Sequence, residues 1–366
     1  MASARGFGQN NKMKILFIDG TLGYSPASLS DRPTGGISTS LTIIPRYLAA
    51  KGHEVYVKSL HDVGECVEGV HFLAMETHAP VTDVVVLNRN SPSNELVSQI
   101  IANGSTLVWW LHDIVDHRGL LDASFKKIDN IVSLSRYCTD TYSDFFEIKK
   151  EKFTIIPNAV DTSVWYPGEY GDRDPNLFVF ASAPVKGFEP LAYVAYNLQR
   201  NFPKLDFRIY SSQKLHGLVD SSVVQSWLTL MKSAGANVLD PIPQKELADV
   251  FRKAWCLLSP NSYPEICSNL ILQAKACGLP VVASPTGSNA ELIKHRESGM
   301  LTKWLPHDKF MWWADFARQT MEVATDKELH RHISETAAKN PPTWESIGAM
   351  WEKYLNAKSA KLVSVC

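Results

Sequence analysis

The segment 250–293, VFRKAWCLLSPNSYPEICSNLILQAKACGLPVVASPTGSNAELI, leaves the chain few folds to adopt. An apolar stretch at 255–259 enters a loop of turn formers, Pro260-Asn261-Ser262-Tyr263-Pro264. Glu265 follows, then the small-residue step Cys267-Ser268-Asn269 and a helical run over 270–277. Gly278 and Pro280 stop that helix, since Gly tolerates a left-handed cap and Pro cannot continue the turn. Val281-Val282-Ala283 reads as the next buried parallel strand. The unit is strand–loop–helix–strand, with its polar residues gathered in the strand-to-helix loop. Open parallel sheets bind ligands at that end.

The loop suits an anionic, hydroxyl-rich ligand. Backbone N–H groups of Ser268, Asn269 and Leu270 fall at a helix start, where unpaired donors and the helix dipole favour phosphate. The alternative is that Ser268 or Asn269 simply caps the helix. Glu265 does not fit a capping role. A carboxylate ahead of an anion site repels phosphate unless it faces something else, such as sugar hydroxyls. Gln273 lies about one turn into the helix and can reach back to the loop.

The run Glu265, seven residues, Gln273, then Ala274-Lys275-Ala276-Cys277-Gly278-Leu279-Pro280-Val281-Val282 resembles the donor-binding signature of GT-B glycosyltransferases, in particular the retaining family 4. That signature is a Glu, seven residues, a second Glu, then Ala-x-Ala-x-Gly-x-Pro-Val-Val. The resemblance implies that Glu265 contacts the donor sugar and that Gln273 stands where a carboxylate holds the nucleotide ribose. An amide acceptor contributes ~0.5–1.5 kcal/mol against ~1.5–3 for a charged one. Gln273 can still accept from one ribose hydroxyl, so the change weakens the match without removing it.

At 366 residues the chain exceeds the usual single-domain size, so two domains are expected. A net charge of −1 gives no electrostatic case for nucleic acid. Cys66, Cys138, Cys256, Cys267, Cys277 and Cys366 show no C-x-x-C pair and no metal-like spacing, which suits buried free thiols in a reducing compartment. No apolar run approaches the ~18–20 residues that span a bilayer. Residues 1–12 are polar and lack a signal-peptide core, so a soluble, cytoplasmic protein is the expectation.

Residues 14–19 form a buried first strand. Gly35-Gly36 then opens a helix with Ile37, Leu41, Ile44 and Leu48 on its apolar positions. The two glycines either admit a phosphate close to backbone N–H groups or make a flexible turn. Buried strands follow at 84–87 and 106–110, with His112-Asp113 at the carboxyl end of the second, where a His is either structural or ligand-facing. His112, Asp113, Asp116 and His117 could instead form a divalent-metal set, but no other His or Cys cluster supports it. A strand at 131–135 and the segment Ile156-Pro157-Asn158-Ala159-Val160-Asp161 come next. The turn-rich, charged stretch from 167 to 175 reads as a solvated linker, and its Asp172-Arg173-Asp174 follows no apolar strand that would make it a metal-binding Asp-x-Asp. After a strand at 177–180 come Ser182 and Lys186-Gly187. A helix around 310–321, with Met311, Trp312, Trp313 and Phe316, is either buried or a peripheral membrane contact. Residues 344–354 are amphipathic at helical spacing.

Several of these features extend the resemblance in the expected order. It implies that Gly35-Gly36 faces the interdomain cleft, that His112 faces the donor sugar, and that Lys186 grips the diphosphate. A first cation expected near Ser182 is missing. The implied fold is α/β, with two Rossmann-like doubly wound domains facing across a cleft. Their bounds are 13–165 and 177–341, joined by a linker at 166–176, with a helix at 342–358 crossing back to the first. The implied catalytic residues are Glu265, His112 and Lys186. The implied donor-binding set is Gly35, Gly36, Ser182, Lys186, Glu265, Cys267, Ser268, Asn269, Leu270 and Gln273. No metal or further cofactor is expected. The implied reaction is retaining transfer from a nucleotide-diphosphate sugar, of UDP or GDP type, to a hydroxyl of a glycan or other acceptor. The alternative is a non-catalytic sugar-nucleotide-binding or scaffold subunit, for which Gln273 and the missing cation speak.

Overall fold

The computed structural model describes residues 12–20, 32–60, 64–89, 94–114, 128–211 and 221–363. Two sheets organise them. The first is built from β1 (Lys14–Ile18), α1 (Gly36–Ala50), β2 (Glu54–Ser59), β3 (Glu65–Val67), β4 (Val70–Ala74), β5 (Val84–Asn88), α2 (Asn94–Ala102), β6 (Thr106–Trp110), β7 (Ile131–Ser133), α3 (Arg136–Phe146) and β8 (Phe153–Ile155). Its strand order is β3-β4-β2-β1-β5-β6-β7-β8. Every pairing is parallel except the β3–β4 hairpin at the edge. Glu68 (φ 50°) and Gly69 (φ 80°) make that hairpin's turn. The sequence reading did not anticipate the hairpin, whose strands are short and carry a weak apolar pattern. In contrast, β5 is buried along its whole length, as its unbroken Val-Val-Val-Leu run requires in a sheet covered on both faces.

The second sheet contains β9 (Leu177–Phe180), α4 (Phe188–Asn201), β10 (Asp206–Tyr210), α5 (Ser222–Ser233), β11 (Asn237–Leu239), α6 (Gln244–Lys253), β12 (Cys256–Ser259), α7 (Asn269–Ala276), β13 (Val281–Ala283), α8 (Asn289–Leu292) and β14 (Met300–Leu301), followed by α9 (Lys309–Thr325) and α10 (Lys327–Ala337). Its order, β11-β10-β9-β12-β13-β14, is all parallel and reverses direction between β9 and β12. Such a reversal opens a crevice at the carboxyl ends of the two strands. The first sheet reverses in the same way between β1 and β5. The fold is therefore α/β with two doubly wound, Rossmann-like units.

The last helix, α11 (Trp344–Val363), returns to the first unit. Trp351 is fully buried there, with its ring 4.8 Å from that of Trp110 and 6.3 Å from that of Phe17. A Cβ at Gly348 would lie 2.3 Å from the Tyr47 ring, so glycine sets how closely α11 can lie on α1.

The stretch expected to be a solvated linker is anchored instead. Arg173 is only 5% exposed and donates to the carbonyls of Phe251 (3.1 Å), Ala254 (2.8 Å) and Cys277 (2.7 Å). Composition marks that stretch as polar, but three inward-facing carbonyls need a donor, and Arg173 supplies it. Helix α9 divides its aromatic residues. Trp312 and Phe316 are buried, with Trp312 Nε1 donating to Ser284 Oγ at 2.9 Å, whereas Phe310 and Met311 are exposed. Among the described residues no helix is long and apolar enough to cross a membrane.

Candidate active site

The carboxyl ends of the two sheets face each other across a cleft of about 640 Å³. The β12–α7 loop forms one wall. Asn261 shapes it, its Oδ1 accepting from the Tyr263 N–H at 2.9 Å and its Nδ2 donating to Glu265 Oε1 at 3.0 Å. The same Glu265 oxygen accepts from Lys186 Nζ at 2.7 Å. Lys186 belongs to a short turn, Pro184–Lys186, at the end of β9, and Gly187 behind it has φ 142°. A Cβ on Gly187 would lie 2.4 Å from the Pro260 carbonyl oxygen, so only glycine lets the lysine turn press against the β12 loop. Gly287 does the same behind Glu265. It has φ 65°, a Cβ there would stand 2.2 Å from the Glu265 carbonyl oxygen, and Ser288 N–H donates to that oxygen at 2.7 Å.

Burial pushes the Glu265 carboxyl upward, but the Lys186 ammonium and hydrogen bonds from Lys186, Ser268 and Asn261 outweigh it and hold the group below the usual carboxylate range. Ser268 therefore serves Glu265. It makes no side-chain cap on α7, which removes the capping alternative for that residue. The first N–H groups of α7 have no intrahelical partner by the geometry of any helix start, and they lie beside Lys186 and Glu265 on the cleft wall. A diphosphate fits these donors and the cation, and the Glu265 carboxylate fits hydroxyl groups next to it.

The facing wall comes from the first sheet. His112 follows β6 and packs edge-on to Trp110, ring centroids 4.3 Å apart. Burial, with the nearby Arg89 charge, depresses its pKa to about 3, so the imidazole is neutral at physiological pH. Its Nε2 is buried and has no hydrogen-bond partner among the described residues. Arg89 and Asp113 complete this wall, with Arg89 Nε donating to Asp113 Oδ2 at 2.9 Å.

The walls meet at specific contacts. Asn158 Nδ2 donates to the Cys267 carbonyl at 3.0 Å, and its Oδ1 accepts from Ser40 Oγ at 3.2 Å. Gln244 Nε2 donates to Thr39 Oγ1 at 2.7 Å. Glu291 accepts from the N–H groups of Arg136 (3.0 Å) and Tyr137 (2.7 Å) at the start of α3. Gly36 lies so near Asn269 that a Cβ there would be 2.4 Å from Asn269 Nδ2.

Gly35, Gly36, His112, Ser182, Lys186, Glu265, Cys267, Ser268, Asn269, Leu270 and Gln273 all line this one cleft. Cys267 contributes its backbone, since burial raises its thiol to about 12. The Ser182 carbonyl is taken by the Ser211 hydroxyl. Of the metal alternative, Asp116 and His117 lie outside the described residues, and among those described no cluster of three metal-ligating side chains occurs. Sequence reasoning missed Arg89, Asn261, Tyr263 and Gln244 as site residues. Arg89 was findable, because it follows the carboxyl end of β5 as His112 follows that of β6.

Residues 168–340 match the family described as glycosyl transferases group 1. The second unit belongs to that family. Bacillus subtilis YtcC, provisionally named a glycosyltransferase, is 22% identical over 90% of this chain and 87% of its own length. The D-inositol 3-phosphate glycosyltransferase of Frankia alni is 27% identical over 43% of this chain, and the match spans only 42% of that protein. Sucrose-phosphate synthase from Thermosynechococcus elongatus superposes with a TM-score of 0.76 at 16% identity, covering 96% of this chain and 100% of that one. Anabaena HepE, solved with UDP and glucose, gives 0.70 at 15% identity over 94% and 100%. At these identities the likeness is one of fold, the two-domain GT-B architecture.

Proposed function

We propose that this glycosyltransferase is a retaining, metal-independent enzyme. It moves a sugar from a nucleotide-diphosphate sugar of the UDP type to a hydroxyl of a glycan or other acceptor. The observation that carries the reading is the Lys186–Glu265 pair, 2.7 Å apart, seated beside the start of α7 and across the cleft from neutral His112. HepE, which shares the fold, was solved with UDP and glucose, and that supports the choice of nucleotide.

In this reading the diphosphate lies against the α7 N–H groups and Lys186, where negative charge grows as the sugar leaves. Glu265 accepts hydrogen bonds from the sugar hydroxyls, and Gln273 from the ribose. The sugar C1–phosphate oxygen bond breaks while the acceptor oxygen bonds C1 from the same face, and the acceptor proton passes to the departing diphosphate. His112 makes a neutral hydrogen bond to the sugar from the first domain and carries no charge of its own. Buried free thiols at Cys138, Cys256, Cys267 and Cys277 fit a reducing compartment, so we place the reaction in the cytoplasm.

The test is time-dependent release of UDP from UDP-sugars with a panel of hydroxyl acceptors. Wild-type protein should release it, and Glu265→Ala should lose nearly all of the rate while keeping its fold and its affinity for UDP. Full turnover by the variant removes the role given to Glu265. UDP binding without turnover by the wild type leaves the non-catalytic alternative standing.

A further inference from the structure

We infer that Arg89 makes the first-domain wall of the cleft an anion-binding site, so that the acceptor is a hydroxyl compound carrying a phosphate or carboxylate group. The inference rests on the proposed transfer reaction and adds the acceptor's chemical class. Arg89 immediately follows β5, and the strand order of the first sheet reverses between β1 and β5. It therefore occupies in the first sheet the kind of switch-point position that the Lys186 turn occupies in the second.

Its backbone is left-handed at φ 63°. That conformation is strained for a non-glycine residue, and such strain clusters at functional sites. The side chain is 18% exposed and is fixed through Nε to Asp113, whose own carbonyl accepts from Tyr142 Oη at 3.0 Å. A guanidinium has five N–H donors in a rigid fork. Asp113 engages Nε, and no hydrogen bond from the terminal NH₂ groups of Arg89 to another described residue is found.

Charge distribution distinguishes the two walls. Lys186 is paired with Glu265, which is only 13% exposed, and stands on the donor side of the cleft beside the α7 start. Arg89 is paired with Asp113, which is 44% exposed. The Arg89 charge reaches His112 and helps hold that imidazole neutral, so a cation stands next to an uncharged ring on this wall. A planar fork whose NH₂ groups bond no other described residue matches the paired oxygens of phosphate or carboxylate. The donor's diphosphate already has Lys186 and the α7 start on the opposite wall, which leaves Arg89 for the acceptor.

The experiment uses the full chain saturated with UDP and titrates inorganic phosphate, then acetate, by calorimetry. Phosphate should bind the UDP-saturated wild type. Arg89→Met should weaken phosphate by about tenfold or more, as for loss of a charge-assisted pair, while UDP affinity changes by less than about twofold. Arg89→Lys keeps the charge without the fork and should fall between, which guards against a folding defect in the first variant. Tighter binding of phosphate than acetate points to a phosphorylated acceptor, and the reverse to a carboxylate one. Absence of phosphate binding to the UDP-saturated wild type overturns the inference, as does a loss of UDP affinity in Arg89→Met, which would put Arg89 on the donor. Failure of UDP to bind at all removes the transfer reading instead, and the difference between wild type and Arg89→Met in phosphate alone still reads the anion site.

Discussion

Replacing Gly287 with alanine tests how the candidate carboxylate is held without touching it. The added Cβ would lie 2.2 Å from the Glu265 carbonyl oxygen, 2.7 Å from the Glu265 nitrogen and 2.7 Å from the Pro264 carbonyl carbon. All three are backbone atoms, so no side chain can swing aside. Relief to a 3.0 Å contact displaces the Glu265 backbone by roughly 0.8 Å. The carboxylate moves with it, away from Lys186 Nζ and Asn261 Nδ2. A misplacement of about 1 Å can cost on the order of 100-fold in rate, so a 10- to 100-fold fall in turnover is expected by that scale. Stability falls as well. The φ of 65° costs alanine ~1–2 kcal/mol, and loss of the Ser288 N–H bond to Glu265 costs ~0.5–1.5 kcal/mol. A sum of about 1.5–3.5 kcal/mol lowers the melting temperature of the second unit by roughly 3–14 °C. The assays are initial rates of UDP release at saturating donor and a calorimetric melt. A variant that melts and turns over like the wild type would refute the argument that Gly287 positions Glu265.

Two further outcomes are expected. His112 and His330 are held neutral by burial, with pKa values of about 3 and about 4. Because those folded values lie below the unfolded value near 6.5, stability is fully present above about pH 6.5 and is lost as pH falls toward them. Each group should contribute a loss of roughly 2 kcal/mol between pH 7 and pH 5, read by chemical denaturation at both values, and His330→Gln should remove about half of the combined loss. An equal pH dependence in that variant would count against the assignment. Arg173→Met leaves the carbonyls of Phe251, Ala254 and Cys277 without their donor and should destabilise the protein by about 3 kcal/mol or more while leaving UDP affinity unchanged at native temperatures. Weaker UDP binding by a fully folded variant would show that Arg173 acts on the cleft and does more than anchor the chain.

Local chemistry in the chain determined much of this protein. The turn formers at 260–264, the helix stop at Gly278 and Pro280, and the unbroken apolar runs of β5, β6 and β13 act over a few residues, and spacing alone makes them legible. Gly278 does take the left-handed value expected of it, at φ 63°. Position after a strand's carboxyl end drew attention to Glu265 and His112, and the family resemblance added Lys186, before any pairing was known. Tertiary structure decided the rest. Lys186 meets Glu265 across 79 residues of sequence, Asn158 meets Cys267 across 109, and Gln244 meets Thr39 across 205. Nothing in a local period encodes such pairings, because they depend on which strands become neighbours and on how two sheets approach. The same holds for Arg173, polar by composition yet buried by the carbonyls around it, and for Arg89, an unremarked residue after a strand until β1 and β5 were seen to form the switch point. A strand's carboxyl end is readable from sequence. Which ends share a cleft is settled only when the sheets are assembled.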